Sequence, residues 1–487
     1  MNTVETSTIR RHSFCVTILA LGLGAALTAA VEPRADGEAP AADLTRIKLQ
    51  GFKGCSGKHN WGHHTAPFTL VNLDDDEHLE VLVKEWRDWS YRGRGDYKRK
   101  NSVPARLYAF DHDGKALWTY EHGKGVNVGV NFAPTIAADL DGDKVAEIYT
   151  RKADDTKGHW PKLVLTERDH DWIVRLDPAT GKETARAGWP RHHGYPGNGQ
   201  IMIGYLDGES PAIIACGGPY QKKMTVRAYR PDLTLIWETT WKRGNGSHTP
   251  SCADVDGDGR DEVILGSVVL DHDGSVLWER KLGHVDLAVA ADIDRSTPGL
   301  EILFGSQDVA FTGVVRGSDG KTLWSRRQKT HSQEGCGELD ADRPGLECFG
   351  WQDKKDGYDA SKINMWDANG EPLDPADYFP RMPGDKAATV YLWWHGRPIM
   401  DGLGGEGVPE PGFMRLVGDL TGDWREEVAW LERDQLVIAR PAGKPVVDRP
   451  SLRRDRKYRC ELAKGSRYFA QTHYTRPMPA EPVLGGE

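Results

Sequence analysis

The stretch SHTPSCADVDGDGRDEVILG, residues 247–266, sets an acidic turn between two apolar runs. Asp254, Asp256 and Asp258 alternate and Glu262 follows, a spacing of carboxylates that suits a hard cation such as Ca2+. The flanks carry no helical period and read as strands, so the turn closes a hairpin and is not half of an EF-hand. A calcium sensor needs helices that swing, and none flanks this turn. His248 stands six residues before Asp254, far enough along an extended chain to reach the opposite end of its strand.

The same turn recurs along the chain. Asn72, Asp74, Asp76 and Glu80 form one copy, and Asp139, Asp141, Asp143 and Glu147 another. Asp419, Thr421, Asp423 and Glu427 form a late copy; stretched versions pair Asp292 and Asp294 with Glu301, and Glu338, Asp340 and Asp342 with Glu347. A weak copy surrounds Asp207 and Glu209. A second element follows most of them: YAFDHDGKALW (108–118), VVLDHDGSVLW (268–278), VVRGSDGKTLW (314–324) and INMWDANGEPL (363–373). It reads as a hairpin with an Asp-Gly type of turn, closed in most copies by tryptophan. Two hairpins per repeat make a four-stranded antiparallel unit, the blade of a β-propeller.

The expectation is therefore an all-β chain: a single β-propeller over residues 45–487, of seven or eight four-stranded blades, with calcium-type acidic turns in the blades. VYLWWHGRPIMDGL (390–403) reads as one further hairpin without its turn, so eight is preferred to seven. The acidic turns themselves read first as clips that fasten a hairpin, with or without an ion.

At 487 residues the chain exceeds one ordinary domain unless the fold is a large repeat. A net charge of −9 without a long basic run argues against a nucleic-acid partner. The 17 tryptophans and 55 glycines supply flat side chains and tight turns. Arg10, Arg11 and His12 precede an apolar run, 14–30, that ends in small residues. That order predicts a secretory signal over 1–30, a flexible lead-in over 31–44, and a secreted or periplasmic monomer with no membrane anchor after cleavage. In that compartment Cys55, Cys216, Cys252, Cys336, Cys348 and Cys460 could pair, although their spacing shows no disulfide framework.

If the acidic turns close the inner strands at one end, residues six to eight positions before a turn, and as many after it, meet at the other mouth. Before the turns stand His64, Asn131, Asn198, His248, His284, Asp286 and His331; after them stand Lys84, Arg151, Tyr220 and Gln307. His284 and Asp286 share a strand face. Together with His248 and Gln307 they offer two imidazoles, a carboxylate and an amide oxygen, a divalent-metal set that suits Mn2+ or Zn2+ through nitrogen and Ca2+ through oxygen.

These segments resemble the bacterial β-propeller rhamnogalacturonan lyases. The carrying stretches are EVLVKEW (80–86), ADLDGDKVAEI (138–148), HTPSCADVDGDGRDEVILG (248–266), LGHVDLAVAADIDRSTPGLEI (282–302), ELDADRPGLECFG (338–350) and GDLTGDWREEVAW (418–430), which together span most of 50–476. The resemblance implies an active-site cation, usually Ca2+, on two histidines, an aspartate and a glutamate; these fall on His248, His284 and Asp286, with Gln307 in place of the glutamate. It also implies an N-terminal β-sheet domain that is not expected here, and a substrate loop that reads GLGGEGVPEPG (402–412) in this chain. Propeller ulvan lyases resemble the same compact layout.

The implied chemistry is β-elimination from an acidic polysaccharide: a base removes the proton α to a uronate carboxylate while positive charge neutralises that carboxylate. Lys84, Arg151, Tyr220, Tyr195 and the pair His192/His193 are candidate bases or cationic partners, Arg151 more as a carboxylate holder. A zinc site on Cys55, His59, His63 and His64, a non-catalytic carbohydrate-binding propeller and a structural interaction module are the alternatives.

Overall fold

The computed structural model describes residues 42–53, 68–76, 78–84, 105–123, 126, 133–154, 171–190, 199–217, 223–241, 246–306, 308–329, 334–337, 343–351, 363–375, 393–394, 397–398, 415–423, 427–441 and 451–464. They form small antiparallel sheets in a propeller-like arrangement, with a single α-helix among the described residues. Three sheets run in strict chain order: Phe68–Val71 to Ala116–Glu121, Thr135–Ala138 to Glu183–Gly188, and Gln200–Gly204 to Leu235–Trp241. An eight-stranded sheet follows, in which two meanders, Gly246–Ala253 to Val276–Glu279 and Val285–Ala291 to Thr322–Arg326, are joined by one parallel pairing, Thr249 with Leu287. Gly335–Gly337 to Pro372–Leu373 make another four-stranded sheet, and Trp393–Trp394 pairs with Arg397–Pro398.

The last sheet is closed by the first strand. Ala42–Lys48 runs antiparallel to Gln435–Pro441, outside Glu427–Glu432 and Arg415–Gly418. The strand thus starts at Ala42, within the expected lead-in, because its pairing continues out to Pro441.

Burial explains why the repeat was visible in the sequence. The strands around the acidic turns are largely buried, over their whole length in Phe68–Val71 and Glu80–Lys84, and so read as apolar runs. The outermost strands Ala116–Glu121 and Glu183–Gly188 are half exposed and alternate. Apolar clusters fill the space between neighbouring sheets, for example Leu82, Ala109, Ile148 and Val174 between the first two. The hairpin tryptophans tie each sheet to the next. Indole nitrogens of Trp118, Trp237, Trp278 and Trp324 donate to the carbonyls of Pro178, His272, Gly317 and Ala368 in the following hairpin turn. The rings lie on Gly181, Gly274, Gly320 and Gly370, where a Cβ would come within 3 Å of them, so glycine is required by the close approach as well as by its positive φ.

The helix Arg456–Ala463 departs from the all-strand expectation. Asp455 caps it by accepting from Tyr458 N at 2.7 Å. Its Tyr458 and Leu462 pack with Leu416 and Leu420, and its Cys460 and Ala463 pack with Ile136 and Ile201. Lys464 at its end donates to Pro250 O at 2.8 Å, so the helix lies against inner strands of several sheets. Among the described residues the cysteines form no cross-link: Cys216, Cys252, Cys336, Cys348 and Cys460 are free and buried, small apolar fillers of the core, and Cys55 lies outside the described residues.

Candidate functional site

The inner strands run to the acidic turns and back, so that among the described residues Lys84, Arg151, His248, His284 and Asp286 stand toward the strand ends away from the turns. His248 lies in Gly246–Ala253 and Asp286 in Val285–Ala291. The parallel pairing of Thr249 with Leu287 sets these two backbone positions side by side. His284 precedes the second strand directly, and Val285 pairs with Ser306, the residue before position 307. The backbone therefore brings three predicted positions, 248, 284 and 286, close together; the side chains of His248 and Asp286 and the whole of Gln307 lie outside the described residues.

Two irregularities create this meeting and left no trace in the sequence reading. The antiparallel register of Gly246–Ala253 shifts between Gly246 and Ser251, and that of Val285–Ala291 shifts between Val285 and Ala288. At that height each strand is released from its own neighbour and the two pair with each other. Such bulges re-aim side chains at sheet rims. His284 is held in place: its N–H donates to Asp308 Oδ2 at 2.7 Å, and Ser306 Oγ bonds Leu282 O. Its Nδ1 lies 3.2 Å from Gly246 O. A carbonyl only accepts, so Nδ1 is the donor in this contact.

The cationic residues differ from their predicted roles. Arg151 is 1% exposed, and its Nε and Nη2 grip Asp171 at 2.9 and 2.7 Å. The fork reserved in the sequence reading for a substrate carboxylate is thus closed on an internal one, with the guanidinium 5.1 Å over Trp189. Lys84 is equally buried and donates to Ala133 O at 2.9 Å; burial pushes its ammonium down to about 7. Beside them sits His122, which the sequence reading missed. Fully buried, it donates from Nδ1 to Arg151 O at 2.8 Å, while Nε2 has no hydrogen-bond partner among the described residues. Burial, with the Lys84 and Arg151 charges adding to it, holds the ring neutral down to about 4. No motif announces it, since it follows an outer strand and not an acidic turn. Around this mouth a pocket is lined by Pro134, Thr135, Gln200, Ile201, Thr249, Pro250 and Lys464. His193, Tyr195 and Tyr220, and the His59/His63/His64 run, lie outside the described residues.

At the other end the glutamate of each turn accepts backbone amides: Leu73 N to Glu80 at 2.7 Å, Leu140 N to Glu147 at 2.9 Å and Val255 N to Glu262 at 2.8 Å. Asp139, Asp141 and Glu147 converge, as do Asp254, Asp256 and Glu262, with ligand atoms within 4.8 Å of one another. Asp143 and Asp258 bond backbone amides of their own turns. Burial, reinforced by Asp256 and Asp254, pushes Glu262 up to about 8, as expected of carboxylates gathered away from solvent. The last turn is used differently. Asp419 accepts from Ser451 Oγ at 2.6 Å and Leu452 N at 2.9 Å, and Glu427 takes Leu420 N and Thr421, so this turn docks the segment that leads to the helix.

An all-β scaffold of small antiparallel sheets in a propeller-like arrangement defines the class of fold. Residues 199–309 match the model described as rhamnogalacturonan lyase family 11, C-terminal domain, so the chain is a relative of the rhamnogalacturonan lyases, the family named by the sequence resemblance. The chain is 29% identical over 278 residues to rhamnogalacturonan endolyase YesW of Bacillus subtilis, covering 49% of this chain and 43% of that protein. Rhamnogalacturonan exolyase YesX of the same organism is 29% identical over 274 residues, covering 49% and 44%. The chain thus spans less than half the length of the curated relatives it matches. The crystal structure of rhamnogalacturonan lyase YesW superposes with a TM-score of 0.69 at 23% identity, over 89% of this chain and 82% of that one, a likeness of fold.

Proposed function

We propose that the protein is an exported polysaccharide lyase that cleaves a rhamnogalacturonan I type of polymer by metal-assisted β-elimination. The observation that supports this reading is the close approach of backbone positions 248, 284 and 286, inside the segment 199–309 that matches the lyase family model. His248, His284, Asp286 and Gln307 would hold the cation, Ca2+ by family likeness, with Mn2+ or Zn2+ suited to the imidazoles. When bound, it would neutralise the uronate carboxylate and the negative charge that develops as the α-proton leaves. His284 has its Nδ1 engaged by Gly246 O, a contact that fixes the orientation of the ring.

Lys84 and Arg151 are buried and committed to Ala133 and Asp171, which favours a role as fixed positive charge behind the mouth over direct proton transfer. The proton acceptor is therefore assigned to His193 or Tyr195, in the segment leading into Gln200–Gly204, with Tyr220 after Ala212–Cys216 as the other candidate. The ring is counted as eight blades, the pair Trp393–Trp394 and Arg397–Pro398 marking the incomplete one. The turns around Asp139 and Asp254 are read as structural Ca2+ sites.

The test is absorbance near 235 nm, which rises only when elimination makes an unsaturated uronate. Expected is a rise with rhamnogalacturonan I that EDTA abolishes. A rise with ulvan alone moves the substrate to that polymer, and no rise with any uronate polysaccharide in the presence of Ca2+, Mn2+ or Zn2+ ends the enzyme reading.

A further inference from the structure

The acidic turn of the first sheet is built differently from the turns at Asp139 and Asp254. In those two, the first and second acids converge with the glutamate. In the first sheet the opening residue is Asn72, which is neutral and whose amide is already engaged. Its Nδ2 donates to Asp76 O at 2.6 Å, and its Oδ1 accepts from Asp74 N at 3.0 Å and Asp75 N at 2.8 Å. The group that converges here is Asp76, Glu80 and His112, with ligand atoms within 4.8 Å of one another. His112 comes from the next hairpin turn, DHDG at 111–114. The set has moved outward and exchanged one oxygen for an imidazole nitrogen.

Two independent features at this place ask for a cation. Glu80 is fully buried; one of its oxygens accepts from Leu73 N, and Oε1 has no hydrogen-bond partner among the described residues. A buried carboxylate oxygen in that state demands a positive partner. His112 has nitrogens 3.9 Å from Asp76 Oδ2 and 3.7 Å from Asp113 Oδ2, both beyond hydrogen-bond reach. Its basic lone pair is thus uncommitted among the described residues, and the ring is steadied by His78 with centroids 4.2 Å apart.

The fourth meander, Gly246–Ala253 to Val276–Glu279, supplies an internal comparison. Asp258, Glu262 and His272 converge there in the same outer arrangement. Arg260 bridges two of its three members, with Nε and Nη2 at 3.0 and 2.8 Å from Asp258 Oδ2 and Nη1 2.8 Å from His272 Nε2, while Glu262 Oε1, like Glu80 Oε1, has no hydrogen-bond partner among the described residues. A guanidinium only donates, so His272 Nε2 accepts and is committed. Two residues past the third acid the first turn has His78 where this one has Arg260. One turn carries its own positive charge, and the other keeps the same cradle open.

We propose that Asp76, Glu80 and His112 form a distinct site for a borderline divalent cation of the Zn2+ type, separate from the all-oxygen turns and from the mouth. One imidazole and two carboxylates match the ligand types of zinc, with a further position for solvent. Side-chain exposures of 37% for His112 and 41% for Asp76 leave the site open to exchange from solution. The proposal rests on the turn geometry and stands whether or not the mouth is a lyase site.

The test is Zn2+ titration of the intact, Ca2+-loaded chain by calorimetry, with Co2+ as a spectroscopic probe. Expected is one more high-affinity Zn2+ equivalent in the parent than in His112→Gln, with Ca2+ content unchanged. Visible Co2+ bands of low coordination number should be lost in the same variant. Glu80→Gln, which keeps the acceptor for Leu73 N, should weaken that equivalent at least tenfold; if it misfolds by circular dichroism, Asp76→Asn replaces it. His272→Gln should leave the count unchanged. Equal Zn2+ uptake by the parent and His112→Gln overturns the proposal. So does full displacement by equimolar Ca2+, or binding that depends on His78 and His112 but not on either carboxylate.

Discussion

Buried cations and a neutral imidazole sit together behind the mouth, and their protonation has a measurable consequence. His122 keeps a folded value near 4 against 6.5 in a free chain. Between those values the unfolded chain binds a proton that the folded one refuses, so stability rises with pH across that window and is lost on acidification from about 6.5 toward 4. The shift corresponds to about 3 kcal/mol. Urea unfolding at pH 7 and pH 4.5 should show the loss, and His122→Gln should flatten this component. Lys84 acts in the same direction at higher pH, its contribution falling away as pH drops from 10.5 to about 7. A second expectation concerns His284: His284→Ala should lower lyase activity by ~100-fold or more while leaving the unfolding transition near that of the parent, as read by initial rates at 235 nm and by urea melts. Unchanged rates would place the site elsewhere. His284 was legible from its two-residue spacing to Asp286, whereas His122 was not, because its partner is the backbone carbonyl of Arg151 on another strand. Arg151 was legible as a mouth residue but not as a partner of Asp171, twenty residues on, a pairing that only the strand register Ala153–Asp171 creates.

At the scale of elements, the tryptophan lock between neighbouring hairpins carries the sheet-to-sheet packing. Trp324 is 8% exposed, donates to Ala368 O at 2.9 Å and covers Gly370. Trp324→Ala should cost about 3–5 kcal/mol, the usual range for emptying a large core aromatic. Trp324→Phe keeps much of the packing and should cost about 1 kcal/mol for the hydrogen bond, plus a smaller packing loss. Denaturant midpoints of the two variants against the parent separate the contributions. The hairpins themselves were legible because Asp-Gly turns and a period of two are local signals. The helix Arg456–Ala463 was not, since its eight residues are short and polar apart from the positions that meet inner strands.

At the scale of the whole molecule, closure depends on Ala42–Lys48 pairing with Gln435–Pro441 across nearly four hundred residues of chain. Removing residues 42–48 should leave the edge of the last sheet unpaired, lower the melting temperature by several degrees and raise aggregation, as read by calorimetry and light scattering. The amino-acid sequence by itself determined the repeat, the strand class and the acidic turns, because each is set by local spacing and by the burial of the inner strands. Tertiary structure alone decided the parallel contact of Thr249 with Leu287, the capture of Arg151 by Asp171, the docking of Asp419 to the terminal helix segment and the assembly of His112 with Asp76 and Glu80. Each of these depends on register shifts or on side chains from different hairpins, and no periodicity within one segment encodes which hairpins will become neighbours.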